Sequence, residues 1–465
     1  MSHTHVAGSI HADVAAAPVW LGLPDDVNAL LPRLWSRNAV KNEAGELTVA
    51  GLTVSEMADR VGTPAYVLDE DDLRSRAREF ATAFAGWDVF YAGKSFLCKA
   101  VVRWIAEEGL NLDVCTGGEL AIALAAGMDP ARIGLHGNNK SEDELATALQ
   151  VGVGRIIVDS DEEITRLVRL SEQFDVQPQL MVRVTAGVEA HTHEYISTAH
   201  EDQKFGFSIS GGEAAAALHR IHDHPRLQLL GIHSHIGSQI FDADGFEVAV
   251  RRTLRLHAAF ATETGVEPPE LDLGGGFGIA YTSQDTPAAP QELADALTAI
   301  VSTECRSAGV AVPKLSIEPG RSISGPSTFT LYRVGTVKPV QLDSGATRLY
   351  VSVDGGMSDN IRTALYGAEY SATLASRSSD AGPALSRVVG KHCESGDIVV
   401  RDEFLPADIR PGDLIAVPGT GAYSRSMASN YNHVPRPPVV SVRDGQITTL
   451  IRRETVDDLL ALDVG

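Results

Sequence analysis

The chain has 465 residues, and its 61 aspartates and glutamates against 39 lysines and arginines give a formal net charge of −22. With 44% hydrophobic residues and no low-complexity tract, its composition is that of a folded protein rather than a disordered one. The strongly negative surface argues against nucleic acid as a partner, because phosphate binding needs a positive footprint. A local site could still hold a small anion.

The first 30 residues lack a sustained periodicity, so residues 1–30 are expected to form a flexible arm. The apolar segment 14–23 is too short to span a bilayer and has no basic flank, so no membrane or export segment is predicted. The four cysteines have no CxxC spacing, which is typical of reduced thiols. We therefore expect a cytoplasmic protein.

In the middle of the chain, short β-branched runs alternate with helical stretches in about eight units. The runs are VFYAGK (89–94), LNLDVC (110–115), IGLHG (133–137), RIIVD (155–159), QLMVRV (179–184), LQLLGIHSHIG (227–237), ELDLGGG (270–276) and KLSIEPG (314–320). This count predicts an α/β fold, a TIM-type (β/α)₈ barrel over residues 66–323, with a doubly wound open sheet as the alternative. The barrel is favoured because polar residues fall at the ends of the runs, where active sites of this fold gather.

The alternation of strand-like and helical stretches ends at about residue 324. From there on, strand-like runs follow each other with hardly a helix-length gap between them. Residues 324–465 are therefore predicted to form a C-terminal all-β domain. Asp444 and Gly445 lie between alternating runs and predict a hairpin. A short capped helix is expected near 52–61, and the segment 186–210 is long for a loop between a strand and a helix.

Glycine-rich loops follow the seventh and eighth predicted strands. LDLGGGFG contains Gly275 and Gly276, and EPGR adds Gly320 and the cation of Arg321. Loops at these two positions form the usual phosphate site of this barrel, since glycine backbones can approach an anion closely. A simple tight turn is the alternative for the glycine run.

Lys94 closes the first predicted strand, in YAGKSF. A lysine there becomes useful if its pKa falls and it forms a Schiff base, although a surface lysine is the alternative. Combined with a phosphate site, it predicts pyridoxal phosphate (PLP) as the cofactor. Glu318 could then face the pyridine nitrogen, or else pair with Arg321.

His235 could stack on the face of the cofactor ring. The sequence His233-Ser-His235 also resembles the HxH of metal-dependent barrel hydrolases. That pair is expected on the first strand, whereas here it lies on the sixth, so no metal is predicted. In the β domain, KHCESGD presents Cys393 and Glu394 in a turn, where a neutral thiol is a suitable proton donor and a solvated acidic turn is the alternative. Tyr423, in GAYSRSMASNYN, could reach a phosphate.

Ten motifs occur in the order found in the diaminopimelate decarboxylase family, within the alanine-racemase-like, fold-type III group of PLP enzymes. They are YAGKSF, DVCTGGEL, HGNNKS, KFGF, HSHIGSQ, LDLGGGFG, EPGR, DNIRTALYGA, GKHCESGD and GAYSRSMASNYN. The resemblance covers about residues 54–456 and implies a PLP-binding barrel plus a β domain. It also implies that residues 31–65 pack with the β domain, and that a head-to-tail homodimer shares its active sites.

The resemblance also implies roles for individual residues. The catalytic set would comprise the Schiff-base Lys94, the ring-stacking His235, the pyridinium partner Glu318 and the thiol of Cys393, given by the second subunit. The cofactor would also contact Asp113, Ser238, Gly275, Gly276, Gly320, Arg321 and Tyr423, and the substrate would contact Arg321, Arg362, Tyr366, Glu394 and Tyr423. Two departures from the family pattern, Ser95 after the lysine and IRTALYG around Arg362, remove no functional group.

The implied reaction is decarboxylation of meso-2,6-diaminopimelate at its D-centre, which gives L-lysine and CO₂ in the last step of lysine biosynthesis. An arginine suits the distal carboxylate of this substrate and Glu394 suits its ammonium group. Another PLP-dependent basic amino-acid or carboxynorspermidine-type decarboxylase is the alternative within the group. A PLP carrier protein and a metallohydrolase are the alternatives outside it.

Overall fold

The computed structural model describes residues 17–187, 204–342 and 345–465, and it has two compact units. Unit 1 comprises the residues up to Leu73, Ile279–Thr286 and Ser324–Gly465, and unit 2 comprises Arg74–Gly278 and Pro287–Ile323. The boundaries predicted at 30, 65 and 323 stay predictions. Within the described ranges, no helix combines the length and the apolarity that crossing a bilayer requires.

Unit 1 begins with small elements that precede the barrel in the chain. They are the strands β1 (Ala39–Lys41), β2 (Leu47–Val49) and β3 (Leu52–Thr53), helix α1 (Val54–Val61) and strand β4 (Ala65–Asp69). The predicted capped helix is confirmed as α1, since the Thr53 side chain accepts from the backbone N–H of Glu56 and the Glu56 carboxylate accepts from that of Thr53. Of the predicted arm, residues 1–16 lie outside the described residues, and Asn28 accepts a hydrogen bond from the Ser379 N–H at 2.9 Å.

Unit 2 is a closed barrel of eight parallel strands, so the predicted fold is confirmed. The helix α2 (Glu70–Ala83) leads into it. The barrel strands are β5 (Asp88–Ala92), β6 (Asn111–Val114), β7 (Ile133–Leu135), β8 (Arg155–Val158), β9 (Gln179–Thr185), β11 (Gln228–Ser234), β12 (Glu270–Asp272) and β13 (Lys314–Ile317). Each pairs with the next, and β13 pairs with β5, which closes the barrel and rules out the open sheet. The short β10 (Phe207–Ser208) pairs with β9.

Helices follow the barrel strands, as the alternating pattern predicts. They are α3 (Lys99–Glu107), α4 (Gly117–Ala126), α5 (Glu142–Val151), α6 (Asp161–Phe174), α7 (Glu213–His222), α8 (Asp244–Thr264), α9 (Pro290–Ala308) and the short α10 (Arg321–Ser324). Several begin at a side-chain cap and end at a glycine; α5, for example, starts at Ser141 and stops at the left-handed Gly152. Most of the long predicted loop, residues 188–203, lies outside the described residues.

The remainder of unit 1 is rich in β-strands, as predicted, with two short helices. The elements are β14 (Thr328–Gln341), β15 (Thr347–Val353), α11 (Arg362–Tyr366), β16 (Thr373–Leu374), β17 (Pro383–Val389), β18 (Ile398–Pro406), β19 (Leu414–Pro418), β20 (Val439–Arg443), β21 (Gln446–Ile451) and α12 (Val456–Leu460). The sheet runs β18-β17-β15-β14-β4-β20-β21, so β4 sits centrally although it precedes the barrel in sequence. The predicted hairpin is confirmed, with Asp444 and Gly445 at φ 48° and 71° between β20 and β21.

Candidate active site

A cavity of about 260 Å³ lies at the carboxyl ends of the barrel strands in unit 2. Its walls include the side chains of Lys94, Asp113, His136, Arg183, His235 and Glu318. These residues come from or directly follow six strands that are far apart in sequence, and parallel closure brings their carboxyl ends to one rim. The structure therefore gathers most of the polar strand-end residues that the sequence pattern singled out.

Lys94 lies in a tight turn just after β5 and lines this cavity. The N–H of Gly93 donates to the Asp113 carbonyl at 2.9 Å, and a Cβ on Gly93 would come within 2.7 Å of that oxygen. The Ser95 hydroxyl donates to the Ala92 carbonyl at 2.9 Å. Ser95, a departure from the family pattern, thus closes the turn that carries the lysine.

The carboxylate of Glu318 is buried and lies beside two imidazoles. His233 Nε2 lies 2.9 Å from Glu318 Oε1, and His136 Nε2 lies 3.3 Å from the same oxygen. Burial lowers the pKa of His233 to about 3 and also holds the pKa of His136 well below its usual range. Both rings are therefore neutral near pH 7, so His233 uses its single N–H as the donor to this carboxylate.

Asp113 belongs to the same buried group, since its Oδ1 lies 3.1 Å from His136 Nε2. Burial and the nearby charges of Glu318 and Asp272 raise the pKa of Asp113 well above its ordinary value. A Cβ on Gly134 would come within 2.6 Å of Asp113 Oδ1, so the neighbouring strand leaves room for this carboxyl only because Gly134 has no side chain. Asp113, His136 and Glu318 thus form the buried floor of the cavity, and His233 is bonded to Glu318.

His235 is half-buried and lines the cavity beside the glycine loop. The N–H of Gly275 donates to His235 Nδ1 at 3.2 Å, which makes Nδ1 the acceptor and leaves the proton of the neutral ring on Nε2. Burial, together with the cations of Lys94 and Arg183, holds the pKa of His235 well below its usual range. One amide of the predicted phosphate loop is therefore engaged in orienting the imidazole.

The glycines of that loop pack closely against neighbouring backbone, and their predicted phosphate role stays a prediction. Gly276 has φ 112°, a conformation that side chains disfavour, and a Cβ on Gly275 would come within 2.2 Å of the Glu318 carbonyl oxygen. Arg321 is buried, and its Nη2 donates to the Ser238 hydroxyl at 2.8 Å. Gly320 packs so closely on Ala92 that its added Cβ would lie 2.9 Å from the alanine Cβ.

The two histidines of the HxH pair have different surroundings. His233 is bonded to Glu318, whereas His235 lines the cavity. The ligand atoms of His136, His233 and Glu318 do lie within 4.8 Å of one another, close enough to hold a metal ion. Within this group the contact between His233 and Glu318 is a hydrogen bond, which accounts for the spacing of those two residues without a metal ion.

In unit 1, Arg362 is buried in α11 and stacks on aromatic rings. Its guanidinium carbon lies 4.9 Å from the ring centroid of Tyr281, and its Nη1 donates to the Tyr370 hydroxyl at 2.6 Å. Tyr366 ends the same helix and is half-buried. The tyrosines thus fix the planar guanidinium, although sequence reasoning assigned no role to Tyr281 or Tyr370.

Three further predicted residues of unit 1 lie on loops. Cys393 and Glu394 are exposed, and Glu394 Oε1 accepts from the Gly396 N–H at 3.3 Å. Tyr423 is half-buried and has a left-handed backbone at φ 63°. Cys393 and Glu394 are thus more exposed than the buried floor of the barrel.

Sequence reasoning gave no role to three residues that the cavity floor and wall use. His136 and Arg183 lie at the ends of the predicted runs 133–137 and 179–184, and His233 belongs to the HxH pair, but no role followed from these patterns. Arg183 places its guanidinium carbon 4.5 Å from the Phe205 ring centroid, beside the cavity. Their positions at strand ends were the available signal. The sequence could not show that the two histidines would approach the carboxylate of Glu318.

The donor set in unit 2 fits PLP. An amine and a buried carboxylate line one cavity, with a neutral imidazole on its wall, while an arginine and a close-packed glycine loop lie near by. The amine can hold an aldehyde, the carboxylate a protonated pyridine nitrogen and the arginine a phosphate.

Comparison with known proteins gives a consistent result. Residues 70–325 match the family model for the pyridoxal-binding domain of pyridoxal-dependent decarboxylases. Diaminopimelate decarboxylase of Mycobacterium tuberculosis (strain ATCC 25618 / H37Rv) is 56% identical over 440 residues, which cover 94% of this chain and 98% of the relative. That of Bacillus subtilis (strain 168) is 43% identical over 428 residues, covering 91% and 96%.

The fold comparison agrees. A crystal structure of diaminopimelate decarboxylase from M. jannaschii in co-complex with L-lysine has a TM-score of 0.85 at 28% identity, covering 92% of this chain and 98% of that one. The Helicobacter pylori enzyme complexed with L-lysine has a TM-score of 0.80 at 28% identity, covering 88% and 98%. Both likenesses extend over the barrel and the β-rich unit.

Proposed function

The chain belongs to the diaminopimelate decarboxylase family of pyridoxal-dependent enzymes, and from this premise we propose how its residues carry out the reaction. It is a PLP-dependent carboxy-lyase that removes CO₂ from the D-centre of meso-2,6-diaminopimelate. The product is L-lysine, and the reaction is the last step of lysine biosynthesis. The observation that carries the assignment of roles is one cavity lined by both the Lys94 amine and the buried Glu318 carboxylate.

Lys94 would hold the cofactor through its Nζ, and Glu318 would face the pyridine nitrogen. His233 donates to Glu318, and a donated hydrogen bond favours the charged form of a carboxylate. His235 would lie against the ring, with its orientation set by the Gly275 N–H. Gly276, Gly320, Ser238, Arg321 and Tyr423 would hold the phosphate, and Asp113 would complete the floor.

When bound, pyridoxal phosphate supplies an electron sink for the pair released as the carbon–carboxylate bond breaks. The chain must then hold the substrate so that the carboxylate of the D-centre, and not that of the L-centre, is the one lost. Arg362 and Arg321 suit a substrate carboxylate by bidentate pairing, and Glu394 suits the distal ammonium group. Tyr366 would contact the substrate beside Arg362.

Cys393 would return a proton to the reacting carbon once CO₂ has left. Its thiol is exposed on a loop of unit 1, so a substrate can reach it. A neutral thiol is a better proton donor than a hydroxyl, because sulfur holds its proton less tightly than oxygen does. The donor then regains its proton from water.

We further propose a homodimer in which Cys393 of one protomer completes the site around Lys94 of the other. The family resemblance supports this arrangement, and the partition of the proposed residues between unit 1 and unit 2 is compatible with it. A cytoplasmic location is supported by the four cysteines, Cys98, Cys115, Cys305 and Cys393, all of which are free.

The test is to incubate the protein, reconstituted with PLP, with meso-diaminopimelate and to measure CO₂ and L-lysine. L-ornithine and L-arginine serve as controls because they have no distal carboxylate for Arg362. We expect stoichiometric CO₂ and L-lysine from meso-diaminopimelate and at least about a 100-fold lower rate with the controls. Faster turnover of L-ornithine would contradict the proposed substrate and favour a diamine-forming decarboxylase.

A further inference from the structure

The backbone that carries Cys393 is fastened to two other loops of unit 1 through His392. This imidazole is buried and bridges them: its Nε2 lies 2.8 Å from the Ser358 hydroxyl, and its Nδ1 lies 3.2 Å from Asn432 Oδ1. His392 and Asn432 belong to the motifs GKHCESGD and GAYSRSMASNYN, and Ser358 directly precedes DNIRTALYGA, but the proposed function uses none of these three residues.

Asn432 makes a second contact that bears directly on the thiol. Its Oδ1 accepts from the backbone N–H of Cys393 at 3.3 Å. A backbone N–H can only donate, so the atom facing it must be the amide oxygen and not the amide nitrogen. The same oxygen then accepts from His392 Nδ1–H.

The carboxylate of Asp397 also accepts hydrogen bonds from this backbone and from a neighbouring loop. Its Oδ2 accepts from the His392 N–H at 2.7 Å and its Oδ1 from the Met357 N–H at 2.6 Å. A Cβ on Gly390 would come within 2.3 Å of Asp397 Oδ2, so the chain packs tightly around this carboxylate. The consecutive N–H groups of His392 and Cys393 are thus each bound to a side-chain oxygen, while the thiol stays exposed.

We propose that Asn432 is a positioning residue for Cys393, fixing the backbone from which the thiol proton reaches the substrate carbon. The inference rests on the proposed role of Cys393 as the proton donor. In that step the carbon–carboxylate bond breaks and CO₂ leaves. The electron pair left behind takes the thiol proton at the same carbon, and water reprotonates the thiolate. A fixed donor delivers its proton to one face of that carbon, and a loose donor competes with water from either face.

The experiment runs the reaction in ²H₂O with the PLP-loaded enzyme and resolves, by NMR, the configuration of the deuterium at the ε-carbon of lysine. Asn432→Gly removes the acceptor without straining the left-handed backbone, which has φ 50°. We expect kcat to fall roughly tenfold, deuterium to appear in both configurations, and KM for meso-diaminopimelate to stay within about twofold. Asn432→Asp keeps an acceptor at the same place and should restore the single configuration.

His433→Gly is the matched control, because His433 is exposed and has a similar left-handed backbone at φ 56°. It should behave as wild type. If Asn432→Gly proves unstable, Asn432→Ser tests the same contact with a shorter side chain and should also give both configurations. Wild-type kcat and a single deuterium configuration in a folded Asn432→Gly or Asn432→Ser enzyme would overturn the inference.

Cys393→Ala, measured alongside, separates this inference from the proposed function. If Cys393→Ala retains kcat, the donor assignment itself fails and the role of Asn432 fails with it. If Cys393→Ala loses kcat while Asn432→Gly retains both rate and configuration, only the positioning role fails. Loss of rate in both variants, with mixed configuration in Asn432→Gly, supports both.

Discussion

The cavity of the barrel is built from side chains that contact each other, whereas the backbone at Cys393 in unit 1 is held by side chains that accept from its N–H groups. In the barrel, His233 contacts Glu318, and His136 lies close to both Glu318 and Asp113. In the loop, Asp397 and Asn432 accept from consecutive backbone N–H groups, and the thiol of Cys393 points to solvent.

The difference matches the two tasks proposed for the units. A buried network fixes protonation states, because burial makes charged imidazoles costly and leaves one N–H for a chosen acceptor. A backbone-anchored loop fixes position while leaving its reactive group exposed. The barrel would therefore set the electronic state of the cofactor, and unit 1 would present a proton and bind the far end of the substrate.

The largest expected effect is in the barrel. Lys94→Ala should lower kcat by about 10³-fold or more, since no other amine at that strand end can hold the cofactor aldehyde. The visible absorbance of the PLP-loaded protein should also disappear. Lys99→Ala removes an exposed lysine from the start of α3 and should leave both unchanged. A Lys94→Ala enzyme that kept the visible absorbance would break the assignment of the barrel site.

The next effect is on the loop of unit 1. Cys393→Ala should lower kcat by about 10²-fold or more, the usual contribution of a positioned general acid. The visible absorbance should persist, because the cofactor residues of the barrel are intact. Cys305→Ala, which removes a buried thiol from α9, should leave kcat unchanged. Loss of the absorbance in Cys393→Ala would contradict the proposal that unit 2 holds the cofactor while unit 1 supplies the proton.

Arg362→Lys should have a smaller effect that falls on substrate binding. Lysine keeps the charge but loses the planar fork that stacks on Tyr281 and bonds to Tyr370. We expect KM for meso-diaminopimelate to rise roughly tenfold to 100-fold with kcat little changed, and Tyr370→Phe to give a milder rise. An unchanged KM in steady-state kinetics would remove Arg362 from the substrate site.

The smallest effect is on stability, where two single groups, His233 in unit 2 and Glu403 in unit 1, should contribute with opposite pH dependence. Burial lowers the pKa of His233 from 6.5 to about 3. Between these two pH values the imidazole of His233 is protonated in the unfolded chain but not in the folded one. The free energy of unfolding therefore decreases as pH falls from 6.5 towards 3. Glu403 in unit 1 has its pKa raised by burial from 4.5 to about 7, so stability is lost as pH rises through that range.

Glu403→Gln tests the second direction by thermal unfolding. Both Glu403 oxygens accept from backbone N–H groups, those of Ala372 and Phe404, and glutamine can replace only one of these acceptors. The variant should be less stable than wild type at pH 5, and its Tm relative to wild type should rise by roughly 2–4 °C by pH 8. A constant difference in Tm across this range would show that Glu403 does not titrate there.

The sequence predicted the barrel well, because eight β–α units leave little choice of fold and polar residues marked the strand ends. It predicted Lys94, His235 and Glu318 as one site because the fold brings strand ends together. It could not predict that His233 and His136 would both approach Glu318, since either side chain could have faced another neighbour across the barrel. Nor could it predict Asn432 beside Cys393, because 39 residues separate them and only the tertiary fold joins their loops.

The central claim, that the barrel site of one protomer is completed by Cys393 of the other, is tested most directly by mixing two inactive variants. Lys94→Ala and Cys393→Ala subunits are exchanged, hybrid dimers are quantified by native mass spectrometry, and L-lysine formation is measured. With random exchange half of the dimers are hybrids and each has one intact site, so activity should recover to about a quarter of wild type. Hybrid dimers without activity above that of either parent would contradict the claim.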